Sequence, residues 1–368
     1  ELGSGQKTII GATDEAEGTV INGNGVETLF ALGSDSKLTF ENLTLSNAST
    51  VIYNQGSLTL NNVDFKGNFS TGWGYGPIYN DGGTITFNGN TAFLGNSAGG
   101  EDGYGGSIYN YEGTITFNGN AIFKNNSGVG WYAAGGAVYN WDVMTFNGDA
   151  IFENNSVTSE YWSSGGAVLN YRDLIFNGDA IFKNNMVTGS DCNEGGAFTN
   201  EYDAVFNGDA IFENNSLIST ESGALGGAIY NYDGTIAFNG NTIFEGNAVT
   251  GASYADGGAI YNSYGTVTFG ENSSVYFSNN KENGKLNDIY NYKGIINILG
   301  EVKSDIHLIS EGGSIGLKAK DTDGDGKVNY GGSYNLTDTT LDISGDGLKE
   351  VTIENLTGSN AELKMDVV

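Results

Sequence analysis

GGAVYNWDVMTFNGDAIFENN, residues 135–155, is one copy of a pattern that recurs along most of the chain. The Asn that closes its first block, Asn140, has counterparts at Asn54, Asn80, Asn110, Asn170, Asn200, Asn231, Asn262 and Asn291. Successive members are 26, 30, 30, 30, 30, 31, 31 and 29 positions apart. A period of this length is typical of a solenoid, in which each repeat packs only against its neighbours.

Each repeat contains three short apolar runs separated by Asn, Gly and Asp. Between Asn110 and Asn140, for example, the three runs are residues 114–117, 121–123 and 137–139. Runs of β-branched and aromatic residues between turn residues predict β-strands, and no stretch shows the sustained 3.6-residue apolar periodicity of a helix. Three strands joined by tight turns close one coil, and successive coils stack with parallel strands about 4.8 Å apart.

The sequence therefore predicts an all-β fold, a right-handed parallel β-helix with three strands per coil and about 30 residues per repeat. The handedness follows the general rule for parallel strand crossovers. About a dozen coils at this spacing give a rod on the order of 60 Å long. We expect an N-terminal cap and first coils over residues 1–45, regular repeats over 46–295, and C-terminal coils with a cap and an Asp-rich loop over 296–368.

The repeated Asn, Gly and Phe residues are predicted to stabilise the coils rather than to bind a ligand. Stacked Asn side chains hydrogen bond along the solenoid and tolerate left-handed backbone at its corners, where Gly avoids Cβ clashes. The Phe residues of the T-F-N-G and F-x-x-N blocks, such as Phe146 and Phe152, are expected to stack in columns inside the coil.

Composition limits the kind of partner. The chain has 44 acidic and 15 basic residues and a net charge of −29, so nucleic acid and anionic membranes are not expected to bind it. Cys192 is the only cysteine, which excludes an internal disulfide and fits a bacterial surface protein that crosses membranes unfolded. No signal peptide or membrane-spanning run is evident, so we expect no direct membrane insertion of what we interpret as a mature or trimmed segment.

The pairing of G-G-A-[IV] with F-x-x-N, at residues 135–138 with 152–155 and at 257–260 with 277–280, carries a family resemblance. It resembles the repeats of chlamydial polymorphic outer-membrane proteins and related autotransporter passengers, over roughly residues 50–295. Residues 353–365 are similar to the N-L-[ST]-G segment that closes many passengers. The resemblance implies an extracellular location at the bacterial cell surface and a role in adhesion.

One segment of each repeat, between F-x-x-N and the next G-G, differs from copy to copy. These segments are residues 97–104, 127–134, 156–164, 186–194, 216–225 and 248–256. We expect them to be loops that leave the same corner of successive coils and stack into one ridge. Aromatic residues concentrate in them or in the equivalent earlier segment, namely Trp73, Tyr75, Tyr104, Trp131, Tyr132, Tyr161, Trp162 and Tyr254.

An aromatic ridge on an acidic rod predicts a binding site, because aromatic rings supply a large apolar area at low entropic cost. We expect the partner to be a host or microbial surface glycan or protein. The alternative is that the rings fold over their own loops and shield the coil edge. A second row follows the repeated Asn and is regular enough to favour stacking for stability, at Tyr111, Trp141, Tyr171, Tyr232 and Tyr292.

Two other functions remain open on the sequence. Parallel β-helices include polysaccharide lyases and glycosidases, but Arg172 and His307 lie in no convincing acidic cluster. Asp149, Asp179 and Asp209 form a column that the repeat itself generates, so we expect no catalytic residues and no enzyme activity. Self-association, side by side or end to end, is the second alternative, because the terminal coils of a solenoid leave strand edges unpaired unless they are capped.

A calcium ion with a structural role is predicted near the C-terminus, and no other cofactor is expected. Oxygen ligands at alternating positions match the first half of a calcium-binding loop, at Asp321, Asp323, Asp325, Lys327 and Asn329. The Glu expected at the twelfth position is absent, because that position is Gly332. An acidic turn without a metal is the alternative.

Overall fold

The computed structural model describes residues 5–11, 18–71, 74–318, 327–344 and 350–365. Its strands stack in parallel into a β-solenoid of about 11 turns with about 30 residues per turn. The prediction of an all-β parallel solenoid is therefore confirmed. Each strand pairs with its counterpart one turn later, so that Asn110 lies beside Asn140 and Asn140 beside Asn170. No described helix is long and apolar enough to span a membrane.

Sheet 1 contains the run that ends in the repeated Asn. It contains one strand per turn. Near both ends of the chain the turns are shorter than 30 residues, so strands of this sheet follow each other more closely in the sequence there. Its strands are Thr28–Leu32, Thr50–Asn54, Ile78–Asp81, Ile108–Tyr111, Val138–Asn140, Val168–Asn170, Phe198–Asn200, Ile229–Tyr232, Ile260–Ser263, Ile289–Tyr292, Ile306–Glu311, Gly332–Thr337 and Leu356–Ser359.

Sheet 2 contains two runs per turn. The T-F-N-G run gives Gly5–Ile10, Ser36–Ser46, Ser57–Lys66, Thr84–Asn88, Thr114–Phe117, Val143–Phe146, Leu174–Phe176, Asp203–Phe206, Thr235–Phe238, Thr266–Phe269, Ile295–Ile298, Ser314–Leu317, Thr340–Asp342 and Glu362–Lys364. The F-x-x-N run gives Val20–Asn22, Thr91–Leu94, Ala121–Lys124, Ala150–Glu153, Ala180–Lys183, Ala210–Glu213, Thr242–Glu245, Ser274–Ser278 and Glu301–Val302. The strands Ser36–Ser46 and Ser57–Lys66 are long enough to pair along both runs.

Sheet 3 corrects the expectation that the variable segments are loops. These segments pair from turn to turn as strands, which are Phe69–Ser70, Ser97–Gly99, Asp102–Tyr104, Ser127–Ala134, Ser156–Ser164, Met186–Gly189, Asn193–Glu194, Ser216–Ser219, Ala224–Leu225, Ala248–Gly251, Ala255–Asp256, Lys281–Glu282 and Lys285–Leu286. The last two pair antiparallel. A separate two-stranded sheet joins Lys327–Tyr330 to Glu350–Ile353.

Each variable segment is an arch with two arms. The first arms carry larger aliphatic residues, such as Val157 and Leu217, and the second arms carry small ones, such as Ala133 and Ala224. The two arms pack on each other as a second, smaller apolar core outside the main one. Each turn therefore has a fourth strand-forming run, whereas the sequence predicted three. The sequence does not reveal it because apolar and polar residues alternate only briefly in the arches.

The main core lies between sheets 1 and 2 and is filled by two columns of Phe. In one column the rings of Phe87, Phe117 and Phe146 stack at centroid distances of 4.3 and 4.5 Å. In the other, Phe123 and Phe152 stack at 4.8 Å, and the two columns meet edge to face. All five side chains are buried. Each such ring pair contributes about 0.5–1.5 kcal/mol beyond its buried area.

Two buried Asn ladders run through the regular turns, one from Asn54 to Asn291 and the other from Asn68 to Asn280, as the sequence predicted. Asn110 Nδ2 donates to Asn140 Oδ1 at 2.8 Å, and Asn140 Nδ2 donates to Asn170 Oδ1 at 2.8 Å. The second ladder passes through Asn126, whose Nδ2 donates to Asn155 Oδ1 at 2.9 Å. Because each amide is both donor and acceptor, the ladder continues through every turn without leaving a buried polar group unpaired.

The corners use the conformations that the sequence indicated. Asn125 and Asn154, which precede ladder residues, adopt the left-handed region with φ of 56°. Gly135 has φ of 59°, and a Cβ at Gly136 would lie 2.1 Å from the carbonyl oxygen of Gly166 in the next turn. The Gly-Gly corner therefore permits both the bend and the close stacking of successive turns.

Replacing a buried and an exposed ladder Asn by Ala shows how much the burial of a ladder hydrogen bond contributes to stability. We expect Asn140→Ala to lower the free energy of unfolding by about 2–3 kcal/mol, because amide partners in the turns above and below lose a buried partner. Asn118→Ala is the matched control, since Asn118 belongs to an exposed ladder with Asn88 and Asn147. It should cost less than about 1 kcal/mol. Urea unfolding followed by circular dichroism measures both, and equal losses would show that burial of the ladder is unimportant.

Candidate functional site

The outer surface of sheet 1 carries a column of aromatic residues. In the strand Val138–Asn140, Val138 and Asn140 point into the core, so Tyr139 points outward. The register between turns aligns one such outward residue per turn. This floor column consists of Tyr53, Tyr79, Tyr109, Tyr139, Leu169, Thr199, Tyr230, Tyr261 and Tyr290.

Two further columns flank the floor column. On the side of the arches, the second arms supply Tyr75, Tyr104, Ala134, Ser164, Glu194, Leu225 and Asp256. On the other side, the residues just after the ladder Asn supply Asp81, Tyr111, Trp141, Tyr171, Glu201, Tyr232, Ser263, Tyr292 and Glu311. We call the three columns together the tyrosine face.

The rings of the tyrosine face touch one another over several turns. Tyr75 lies 4.5 Å from Tyr109 between ring centroids, and Tyr109 lies 4.8 Å from Tyr139. Trp141 lies 4.5 Å from Tyr171. The flanking rings cover the floor column, so that Tyr139 is only 5% exposed although it is outside the coil. The result is a continuous aromatic surface over the turns from Tyr53 to Tyr171.

Several phenol groups of this surface have raised pKa values. Burial, assisted by the nearby Asp102 and tyrosine side chains, raises the pKa of Tyr104 to about 12. Burial also raises the pKa values of Tyr109, Tyr139 and Tyr230. Their hydroxyl groups therefore keep their protons at physiological pH, which makes them donors and acceptors at the margin of an apolar ring surface.

The aromatic floor is interrupted in two successive turns, where Leu169 and Thr199 replace tyrosine. Beside Thr199, two carboxylates flank the floor, Glu194 on the arch side and Glu201 on the other side. Trp162 Nε1 donates to Glu194 Oε2 at 3.4 Å. Burial, followed by the charge of Glu201, raises the pKa of Glu194 to about 7. Burial raises the pKa of Glu201 as well.

A third half-buried carboxylate, Asp256, lies two turns further along the arch-side column. Burial, followed by the charges of Glu282 and Glu311, raises its pKa to about 6. Over the described ranges, the ion pairs of Lys and Arg side chains involve none of Glu194, Glu201 and Asp256. The face thus combines aromatic rings with carboxylates that lack a cationic partner.

The aromatic residues that the sequence assigned to one ridge fall into two groups. Tyr75 and Tyr104 belong to the tyrosine face, and Trp162 packs against it. Trp131, Tyr132 and Tyr161 lie near the arch tips, about half exposed, with centroids of Trp131 and Tyr161 5.5 Å apart. The eight residues therefore do not all pack against one surface, although Tyr132 and Trp162 occupy the same register position in adjacent arches.

Two residues of that predicted set need separate comment. Tyr254 is 53% exposed at an arch tip, and its ring lies against Gly223 of the preceding turn, where an added Cβ would come within 2.1 Å of Cζ. This is the packing over the arch backbone that the alternative interpretation expected for the aromatic residues. Trp73 lies outside the described residues.

The sequence interpretation missed the most extensive part of the site. The repeat pattern contains Tyr79, Tyr109, Tyr139, Tyr230 and Tyr261 without marking them as a site, and no motif marks Glu194 or Glu201. Strict alternation in I-Y-N and V-Y-N was the available signal, since an inward Ile or Val and an inward Asn require an outward Tyr. The second aromatic row, at Trp141 and its equivalents, borders this column rather than standing alone.

The predicted calcium site is not tested. Asp321, Asp323 and Asp325 lie outside the described residues. Lys327 and Asn329 belong to the strand Lys327–Tyr330, and Lys327 Nζ lies 2.7 Å from a carboxylate oxygen of Glu350. Within the described ranges, no group of three or more His, Cys, Asp or Glu side chains is arranged to hold a metal ion. Calcium binding by this segment stays a prediction.

Comparison with known proteins does not identify a relative. No family model matches the chain, and neither a curated protein nor a solved structure does so. The resemblance to autotransporter passengers therefore stays a prediction from the repeat residues.

The raised pKa of Glu194 predicts a pH dependence of stability. Its folded pKa of about 7 exceeds the ordinary value of 4.5, so the native state binds its proton more tightly than the unfolded chain. The corresponding stabilisation is complete below about pH 4.5 and is lost as the pH rises to 7. Glu194→Gln should remove this part of the loss. Urea midpoints from pH 4 to 8 measure it.

Glu160→Gln is the control for this measurement, because Glu160 is exposed on an arch tip. Its pH profile should follow that of the wild type. If Glu194→Gln also followed the wild-type profile, Glu194 would ionise as an ordinary surface carboxylate.

Proposed function

We propose that the chain is the adhesin-like, ligand-binding part of a bacterial cell-surface or secreted protein, and that it binds a glycan along the tyrosine face. The observation that carries the proposal is the continuous run of ring contacts from Tyr53 to Tyr171. Sugar rings have apolar faces and polar edges, so they stack on aromatic rings while their hydroxyl groups bond to polar groups beside them.

The dimensions of the face support an extended ligand. Its floor advances by one residue per turn, and turns are about 4.8 Å apart. This rise is close to the length that one sugar adds to an extended glycan chain, so successive sugars meet successive turns, where exposed flanking rings such as Trp141 and Tyr232 are available for stacking. A rod of repeating turns is suited to such a repeating ligand because each turn presents the same outward position.

The charge of the chain favours glycans that are not anionic. The net charge is −29, and Glu194, Glu201 and Asp256 lie on the face itself. A polyanionic chain of uronic acids or sulfated sugars would be repelled by this surface. The repeat resemblance supports location at the bacterial cell surface, and the exposed rings of Trp131 and Tyr161 at the arch tips remain a second candidate surface for a glycan or protein partner.

A binding role rather than catalysis is proposed for the face as a whole. The repeating rings supply equivalent contacts in successive turns, whereas a catalytic centre needs one place at which acid and base groups are set against a single bond. The second candidate role, self-association of the rod, is opposed by the strong negative charge that copies would bring together.

Replacing exposed tryptophans on the two surfaces tests the proposal. Trp141→Ala on the tyrosine face and Trp131→Ala on an arch tip remove rings of similar exposure, 41% and 54%. A glycan array identifies a bound oligosaccharide, and titration calorimetry gives its affinity. We expect Trp141→Ala to weaken binding about tenfold, or roughly 1.4 kcal/mol, and Trp131→Ala to leave it unchanged.

The opposite result would locate recognition on the arch tips, as the sequence alone suggested. Absence of binding by the wild-type protein to every array glycan would contradict the proposal. Unchanged circular dichroism of both variants is the check that the solenoid itself is intact.

A further inference from the structure

The place where the aromatic floor stops is the most unusual part of the tyrosine face. Leu169 and Thr199 are fully buried beneath the flanking side chains, although they occupy the outward positions that Tyr109 and Tyr139 fill in earlier turns. Tyrosine returns at Tyr230. A gap in the floor of two turns therefore separates two aromatic stretches, and the residues on both sides of Thr199, Glu194 and Glu201, are acidic.

The carboxylates at this gap are close enough to interact and have no positive partner. The charge of Glu201 acts on Glu194, and both carboxylates act on Tyr171 and Tyr230. Arg172 follows Tyr171 in the chain, but its guanidinium lies over the ring of Tyr202, 5.6 Å from the centroid. Carboxylates shielded from water are normally paired with a cation. Because Glu194 and Glu201 are half-buried, this arrangement favours a ligand that brings one.

The neighbouring rings favour the same kind of ligand. Trp162 and Tyr171 lie on the Leu169 side of the gap, and Tyr230 lies on the other side, in the turn after Thr199. An ammonium group is attracted to the face of an aromatic ring, and the attraction increases when water is excluded. Carboxylates and aromatic rings together form the usual environment for an organic cation, whereas a metal ion such as calcium takes six to eight oxygen ligands.

A second carboxylate lies on the arch side of the face. Asp256 is in the same column as Glu194, with the apolar Leu225 between them. The two carboxylates are thus two turns apart, which is about 10 Å at the strand spacing. Tyr230 and Tyr261 continue the floor beside this interval, with ring centroids 5.6 Å apart. In a β-1,4-linked glycan each sugar is flipped relative to the next, so the same edge recurs at every second sugar.

We propose that the tyrosine face binds an amino-sugar polymer with free ammonium groups, which lie at Glu194 with Glu201 and at Asp256 while the sugar rings stack on exposed rings that flank the floor, such as Tyr232. This proposal rests on the proposed glycan-binding function and specifies its substrate class. It explains why carboxylates recur two turns apart in the arch-side column, at Glu194 and Asp256.

The test compares three hexasaccharides by titration calorimetry at pH 6 and low salt. They are the β-1,4-linked glucosamine hexamer with free amines, its fully N-acetylated form, and cellohexaose. We expect the wild-type protein to bind the free amine form at least tenfold more tightly than the other two. Glu194→Gln combined with Glu201→Gln should abolish that preference and keep the weaker binding of the acetylated form.

Two matched variants complete the design. Glu160→Gln removes an exposed carboxylate on an arch tip and should keep the preference. Trp141→Ala should weaken binding of all three hexasaccharides by similar factors.

Binding of the free amine form should also release protons, because an ammonium group beside Glu194 favours the ionised form of its carboxyl group. Titrations in buffers of different ionisation enthalpy measure that release. Glu194 interacts electrostatically with four other titratable groups, which are Glu201, Tyr171, Tyr230 and Cys192.

Several outcomes would overturn the proposal. Equal affinity for the free amine and acetylated forms would do so, as would a preference that survives in the double Gln variant. Shortened oligosaccharides found by mass spectrometry, and absent with Glu194→Gln, would make the pair catalytic instead. If no hexasaccharide binds but an array glycan binds in a Trp141-dependent manner, the amino-sugar proposal fails while glycan binding stands; if nothing binds, both fail.

Discussion

The structure depends on one constraint: the inner face of a turn is buried only when another turn stacks on it in register. A single turn of about 30 residues has no closed core of its own. The ladder Asn residues enforce the register, because a shift by one residue would move Asn140 to the surface and Tyr139 into the core. The Phe columns then stack as a consequence, with ring planes of Phe123 and Phe152 only 5° apart.

The same register also creates the outer surface. The outward position of sheet 1 recurs at every turn, so tyrosine at that position in successive turns forms a column of aromatic rings. Stability and recognition therefore use opposite sides of one strand. Departures from the repeat are informative for the same reason: Leu169 and Thr199 interrupt the column without disturbing the Asn ladder beneath it, which runs unbroken through Asn170 and Asn200.

The arches show how tertiary contacts turn irregular sequence into regular structure. Residues 156–164 alternate poorly, and their strand partners lie about 30 residues away in the adjacent turns. Val157 is buried against neighbouring arches rather than in the main core. A local pattern does not reveal such a partner, which is why these segments were expected to be loops. Their pairing also determines that Trp162 faces the tyrosine face while Tyr161 faces solvent.

The sequence by itself determined the period, the strands of sheets 1 and 2, the Asn ladders and the Phe columns, because each is a local pattern repeated at fixed spacing and stacking in register is the only way to bury it. Alternation in V-Y-N also contained the outward direction of Tyr139. Only the tertiary structure decided which aromatic residues share a surface and which carboxylates are buried. Glu194 and Glu201 flank the same floor position because the Gly-Gly corner between them bends the chain, and their environment comes from Trp162 and Tyr230 in other turns. Burial of a charge depends on everything packed around it, and that information is absent from the local sequence.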